Sequence, residues 1–175
     1  MSTPWMQTFL GVKFHPLAPK LDDIHIVDIA HALSQQCRFA GHTKSFYSVA
    51  QHSVLVSQYC NPEDALWGLL HDATEAYLVD VPTPVKMLLS EYKEIERDLQ
   101  TVLCEKFQIA ADMPESVHFA DRVILSTEAR DMMGPPPELW PDMPPPLQQR
   151  ITGWTSYQAK KAFLLRFAEL GGYQT

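Results

Sequence analysis

A run of apolar residues at helical spacing, between positions 65 and 78, constrains the fold of this chain most strongly. The residues that share one face are Leu66, Leu69, Leu70 and Ala73. An asparagine, a proline and a glutamate at positions 61–63 precede the run and are typical of a helix N-terminus. The pattern therefore predicts a core-facing helix over residues 63–78.

The same helix carries three polar residues, His71, Asp72 and Glu75, within about one turn. Because an unpaired buried charge is costly, such a cluster must be exposed, paired or bound to a metal. His71 and Asp72 can contact one ion from two sides, and Glu75 can act on a water held by that ion. For these residues alone, a solvated His-Asp pair is the commoner explanation.

Composition narrows the class of protein and its partners. A chain of 175 residues with 46% hydrophobic and 20% charged residues predicts one soluble domain over 1–175. The net charge of −7 argues against nucleic acid as a partner, so a small anion would need a local cation. The absence of a membrane-spanning apolar run, of a signal-peptide pattern and of any CxxC pair leads us to expect a cytoplasmic protein without a membrane partner.

Periodicity and helix breakers predict a compact all-α bundle of about six helices and give no strand pattern. The five further helices are expected over residues 24–36, 45–60, 91–107, 114–133 and 156–170. Residues 1–22 are expected to form an extended arm, and the proline-rich stretch 134–146 a stiff loop. Trp140 in this loop can cover a pocket or a subunit interface, of which we favour the interface. The arm and the loop together favour a homo-oligomer.

Two other predicted helices carry polar residues among apolar neighbours, namely His52 and Asp121. A lone histidine of this kind is more often a satisfied core residue, whereas a buried carboxylate is paired or binds a metal. With His71 and Asp72 they form a His-His-Asp-Asp set, and helical bundles build metal sites from facing helices in this way. Imidazole and carboxylate without thiolate suit a divalent ion such as Mn, Fe, Co, Ni or Zn. We therefore predict a metal site in the core of the bundle.

The loop after the first predicted helix has the composition of an anion site. Arg38 can bind phosphate with two hydrogen bonds and Phe39 can stack on a base, while His42 and Lys44 add cationic groups. A solvated basic turn accounts equally well for these residues. After the helix over 63–78, Asp80 is a second candidate carboxylate and Lys86 a candidate phosphate partner.

The order His…His-Asp…Asp resembles the signature of the HD-domain metal-dependent phosphohydrolases. The blocks His-Asp-Ala-Thr-Glu at 71–75 and Val-Asp-Val-Pro-Thr-Pro-Val-Lys at 79–86 are similar to the bacterial 5′-deoxynucleotidase branch. Arg38-Phe39 and the segment 47–53 also match, so the similarity covers about residues 22–130. The compact spacing also resembles phage HD enzymes that hydrolyse deoxyadenosine triphosphate to deoxyadenosine and triphosphate.

This resemblance implies a role for each matching position. His52, His71, Asp72 and Asp121 would be the metal ligands, and Glu75 and Asp80 would handle the attacking water and its proton. Arg38 and Lys86 would contact phosphate, and the segment containing His42 and Lys44 would offer further groups to a triphosphate. Phe39 stands where the deoxynucleotidases have tryptophan beside the sugar and base.

The expected function is hydrolysis of a small-molecule deoxynucleotide at its 5′-oxygen, with deoxyadenosine triphosphate ahead of deoxynucleoside monophosphates. Two alternatives from other classes remain open at this point. One is a metal-dependent nucleotide sensor that binds without turnover. The other is a helical interaction protein in which the His-Asp pair occurs by chance.

Overall fold

The computed structural model describes residues 4–172, and helices account for most of this part of the chain. They run in the order α1 (Ile26–Gln35), α2 (Val49–Tyr59), α3 (Ala65–Leu70), α4 (Glu75–Leu78), α5 (Thr83–Lys86), α6 (Ser90–Phe107), α7 (Glu115–Met132) and α8 (Ser156–Glu169). The predicted all-α bundle is therefore confirmed. None of the helices within the described residues combines the length and apolarity needed to cross a membrane.

The helix predicted over 63–78 is divided into α3 and α4 by a tighter segment at residues 71–74. Backbone hydrogen bonds there join Ala73 N–H to the Leu70 carbonyl and Glu75 N–H to the Asp72 carbonyl, a spacing of three residues. This is 3₁₀ geometry, which within a helical stretch often marks a functional position. The tightening falls on His71 and Asp72.

The helix predicted from residue 45 begins at Val49 instead, because Ser48 acts as its N-cap. The Ser48 hydroxyl accepts a hydrogen bond from Gln51 N–H at 3.2 Å. The backbone of Ser48 is extended and forms an isolated antiparallel β-bridge with Cys37. Every residue from Val49 to Val54 is buried. Helix α2 therefore runs through the centre of the bundle, packed against α3, α7 and α8.

The N-terminal arm contains a strand pair, although no strand pattern is visible in the sequence. Strands β1 (Met6–Gln7) and β2 (Lys13–Phe14) are antiparallel, and Gly11 with φ +82° lies in the turn between them. Two-residue strands are too short to show alternation, which is why periodicity did not indicate them. The buried Phe14 ring stacks on Tyr77 with centroids 4.1 Å apart and attaches the arm to α4.

Candidate metal centre

Helices α2 and α7 and the segment after α3 bring the four predicted ligands together. The Nε2 atom of His52 lies 3.1 Å from both His71 Nε2 and Asp121 Oδ1, and 3.6 Å from Asp72 Oδ2. Asp72 Oδ2 lies 3.2 Å from His71 Nε2. Ligand atoms of His52, His71 and Asp72 all lie within 4.8 Å of one another, whereas Asp121 joins this group through its contact with His52.

Each histidine is oriented by a hydrogen bond on its other ring nitrogen. His71 Nδ1–H donates to the Gly68 carbonyl at 2.8 Å, and His52 Nδ1–H donates to Glu128 Oε1 at 2.7 Å. When the rings are neutral, both Nε2 atoms therefore present lone pairs to the same point. Two imidazole lone pairs and two carboxylates at this spacing require a positive charge between them, either a proton or a metal ion. Such outward hydrogen bonds are the usual support of metal-ligating histidines.

The electrostatics of the cluster show how strongly it attracts positive charge. Burial and Arg38 lower the pKa of His52, but Glu128 and the hydrogen bond to Asp121 outweigh them and raise it to about 9. Burial alone would raise the pKa of Asp72, yet His71, His52 and Arg38 hold it well below its usual range. At Asp121, burial would raise the pKa, but the hydrogen bond to His52 and the charge of that histidine outweigh burial and lower the pKa to about 2. Both carboxylates are therefore ionised at neutral pH, as metal ligands must be.

Glu128 contacts the cluster, and the sequence interpretation missed it. Its side chain is fully buried, and it contacts His52 and also Arg38 Nη2 at 3.3 Å. Burial would raise the pKa of Glu128, but Arg38 and His52 lower it, so the carboxylate stays ionised. A signal was present, since Glu128 follows Asp121 by seven residues and so lies on the same face of α7 two turns later.

Arg38 connects this buried carboxylate to the metal cluster. Its guanidinium lies 3.4 Å from Asp72 Oδ2 as well as 3.3 Å from Glu128, and the side chain is only 13% exposed. Its Nε–H has no hydrogen-bond partner among the described residues. Arg38 therefore lies beside the cluster with one buried donor unpaired.

Phe39 follows Arg38 in an unusual backbone conformation. Phe39, Ala40 and Gly41 have φ angles of +54°, +50° and +83°, which is a left-handed turn. Outside glycine this conformation costs about 1–2 kcal/mol per residue, and such strain tends to persist at functional sites. The turn leaves the Phe39 ring beside Arg38, whose Cζ lies 5.4 Å from the ring centroid.

Glu75 and Asp80 lie next to the cluster and are linked by Gln36, which the sequence interpretation also missed. The Gln36 side chain donates to the Glu75 carbonyl at 2.9 Å and accepts from Asp80 N–H at 3.2 Å. Glu75 is buried, and its Oε2 has no partner among the described residues. Burial, and then Asp72 and Asp80, raise the pKa of Glu75 well above its ordinary value, and burial also raises that of Asp80.

A groove of about 680 Å³ opens beside the cluster between α3, α4 and α6. His71, Asp72 and Glu75 line one wall, and Lys86 lies in the same groove. The Lys86 ammonium is paired with Glu96 on α6 at 2.5 Å. Its predicted contact with phosphate therefore requires this ion pair to open or to be shared.

The other two predicted substrate contacts, His42 and Lys44, are placed differently. His42 is exposed. Lys44 is bound to the end of α7, because its backbone N–H donates to the Met132 carbonyl at 2.8 Å and its ammonium lies 3.4 Å from the Asp131 carbonyl. Among the described contacts, neither residue reaches the cluster.

The donor set fits a divalent metal ion. It combines two imidazole nitrogens with carboxylate oxygens, lacks thiolate, and has an outer hydrogen bond on each histidine. His52, His71 and Asp72 would hold the ion, with Asp121 beside them. Fold and site thus define an all-helical protein with a candidate metal centre in its core.

Comparison with known proteins gives the family. The chain is 46% identical over 137 residues to the uncharacterized protein YfdR of Escherichia coli strain K12, covering 78% of this chain and 77% of that protein. It is 34% identical over 148 residues to an uncharacterized protein of Rhodobacter capsulatus, covering 77% and 76% respectively. No protein-family model matches the chain. The chain belongs to the same family as YfdR.

Proposed function

We propose that this protein is a metal-dependent phosphohydrolase of the HD-domain type that releases a deoxynucleoside from a deoxynucleotide. The observation that carries the proposal is the convergence of two imidazole nitrogens and the Asp72 carboxylate around one point, with Asp121 in contact with His52 and the buried Arg38 beside them. A divalent ion bound there would neutralise phosphate charge and acidify a water molecule. Structural metal sites have no need of the neighbouring arginine or of a second pair of carboxylates.

The residues around the cluster have the properties that hydrolysis of a phosphate ester requires. Water oxygen forms a bond to phosphorus, the bond from phosphorus to the 5′-oxygen breaks, and a proton ends on that oxygen. Glu75 is suited to take the proton from water, because its carboxylate is buried next to Asp72 and its Oε2 has no hydrogen-bond partner among the described residues. Asp80 is suited to orient the water, and Arg38 to bind the phosphate as charge develops on it.

A triphosphate substrate, in particular deoxyadenosine triphosphate, is the proposed preference. The groove beside the cluster supports it, because Lys86, Lys93 and Arg97 line that groove and would offer cations beyond the first phosphate, Lys86 once its ion pair with Glu96 opens. A deoxynucleoside monophosphate is the alternative substrate, and its phosphate would contact Arg38 and Lys86 without the further cations of the groove.

Product analysis tests the proposal. The purified chain, stripped of metal and then loaded with Mn²⁺ or Co²⁺, is incubated with deoxyadenosine triphosphate, deoxyadenosine monophosphate and a panel of other nucleotides. We expect deoxyadenosine and intact triphosphate. Release of phosphate from the monophosphate alone would replace the preferred substrate by the alternative, and no turnover of any nucleotide would contradict the enzyme assignment.

A variant separates catalysis from binding. Glu75→Gln keeps the shape of the side chain but removes its basicity, so we expect metal uptake to persist while kcat falls by about 100-fold or more. The exposed Glu169→Gln is the matched control and should behave as wild type. Nucleotide-dependent thermal stabilisation of the wild-type chain without any product would instead indicate a nucleotide sensor.

A further inference from the structure

The proline-rich loop after α7 returns along that helix toward the metal centre. Leu147 N–H donates to Thr127 Oγ1 at 2.9 Å, Ser126 Oγ donates to the Pro144 carbonyl at 2.7 Å, and the Arg122 guanidinium donates to the Asp142 carbonyl. Three separate contacts thus attach one limb of the loop along α7. The contact with Asp142 is made by the residue next to the predicted ligand Asp121.

Trp140, near the tip of this loop, faces Phe39. Their ring centroids are 6.5 Å apart and the ring planes are tilted by 31°. A flat ring inserted between two parallel rings needs them about 7 Å apart, twice the optimal carbon–carbon separation of about 3.5 Å. The two rings must therefore separate and align their planes before they admit one aromatic ring. Trp140 is 42% exposed, so its indole is not committed to the core.

The two rings differ in how firmly they are held. Phe39 lies in the left-handed turn directly after Arg38, whose guanidinium is buried between Asp72 and Glu128. Trp140 is carried by a loop without regular structure, and its side chain is partly exposed. One ring held beside Arg38 and one partly exposed ring suit the capture of a planar group whose charged end lies at Arg38.

We propose that Trp140 and Phe39 clamp between them the base of a nucleotide whose phosphate is bound at Arg38 and the metal centre. This inference rests on the proposed function and deepens it, since it gives the base a binding site. Stacking on aromatic side chains tolerates every base, so the clamp provides affinity for nucleotides over base-free sugar phosphates. It also gives the proline-rich loop a role other than a subunit interface.

Binding measurements with and without a base test the clamp. The full chain, loaded with metal and free of turnover through Glu75→Gln, is titrated with deoxyadenosine monophosphate and with deoxyribose 5-phosphate. Trp140→Ala should weaken binding of the nucleotide by roughly tenfold or more and leave binding of the sugar phosphate unchanged. Trp140→Phe should restore most of the affinity. Leu139→Ala, at a neighbouring position that is 85% exposed, is the matched control and should bind as wild type.

Fluorescence gives a second test, because base-dependent quenching of Trp140 is not expected if Trp140 only supports the structure of the loop. The chain has four tryptophans, and stacking of a base on Trp140 should quench emission in the wild type. That quenching should disappear in Trp140→Phe although binding is retained. The clamp is wrong if Trp140→Ala binds the nucleotide as tightly as wild type, or if its affinity for the sugar phosphate falls as much as its affinity for the nucleotide. It is also wrong if the variant differs from wild type only in its oligomeric state, or if the wild-type chain binds no nucleotide.

These outcomes are distinguishable from failure of the proposed function. Wild-type chain that hydrolyses deoxyribose 5-phosphate as well as deoxyadenosine monophosphate would be a phosphohydrolase without a base clamp. Chain that binds the nucleotide through Trp140 but releases no product would have the clamp without the activity.

Discussion

Replacement of Glu128 by glutamine tests how the buried second layer supports the metal centre. Glu128 accepts from His52 Nδ1–H at 2.7 Å and lies 3.3 Å from Arg38 Nη2. Glutamine can satisfy the histidine with its oxygen only by turning its amide donors toward the guanidinium, and the reverse orientation favours a proton on His52 Nε2. Either arrangement weakens the ligand, so we expect metal affinity to fall about 10- to 100-fold, or about 1.4–2.7 kcal/mol.

The same substitution leaves Arg38 with Asp72 as its remaining ion-pair partner. Loss of one partner of a buried pair costs about 3 kcal/mol or more, which corresponds to a drop in Tm of about 6–12 °C in a chain of this size. Metal affinity is therefore measured by chelator competition below the melting transition, with helicity followed by circular dichroism. Glu169→Gln, which alters an ion pair on the surface, is the control. A folded Glu128→Gln variant with wild-type affinity would refute the supporting role.

Four further outcomes are expected. Because binding must displace the proton of His52, whose pKa is about 9, metal affinity should rise about tenfold per pH unit between pH 6 and 8, and a flat profile in calorimetry would contradict this. Asp72→Ala should abolish metal uptake in elemental analysis while circular dichroism shows nearly intact helicity. A hydrogen bond from Arg130 holds the pKa of Asp131 well below its usual range, although burial opposes it. The stability from Asp131 is therefore complete above about pH 5 and lost in acid, so Asp131→Asn should be less stable than wild type in urea at pH 7 and differ less at pH 3. Gly68→Ala should cost roughly 1–3 kcal/mol in urea unfolding, because the new Cβ would meet Cys60 Sγ at 2.9 Å and a backbone atom of α2 at 3.1 Å.

The helices could be predicted because their signals are local. Apolar spacing and breakers gave α1, α2, α6, α7 and α8 to within a few residues at most ends. The tighter segment at 71–74 and the late start of α2 depend on specific hydrogen bonds, such as the cap at Ser48, that apolar spacing does not encode. Strands of two residues leave no period to detect.

The candidate site was predictable only in part, for a different reason. The order of His52, His71, Asp72 and Asp121 carries the resemblance to a known family, so their grouping could be anticipated. Glu128 pairs with Arg38, which lies 90 positions away in the sequence. Without knowledge of that partner, a glutamate on a helix is expected to face solvent. The roles of these residues in catalysis stay predictions.

Proximity in sequence does not place the residues of the basic loop together. His42 and Lys44 follow Arg38 closely, and their contact with one anion stays a prediction. The left-handed turn at residues 39–41 separates them, since Lys44 is bound to the end of α7 while Arg38 points into the cluster. Of the three residues in this turn, only Gly41 is of a type that favours positive φ angles, so the sequence does not indicate the conformation of Phe39 and Ala40.

Anomalous diffraction from crystals grown with Mn²⁺ or Co²⁺ is the most direct measurement of whether these side chains share one ion. We predict a single strong peak between the Nε2 atoms of His52 and His71, within bonding distance of Asp72 and with Asp121 beside it. Crystals of metal-treated protein without anomalous density at this position, or with the ion held by other residues, would contradict the account.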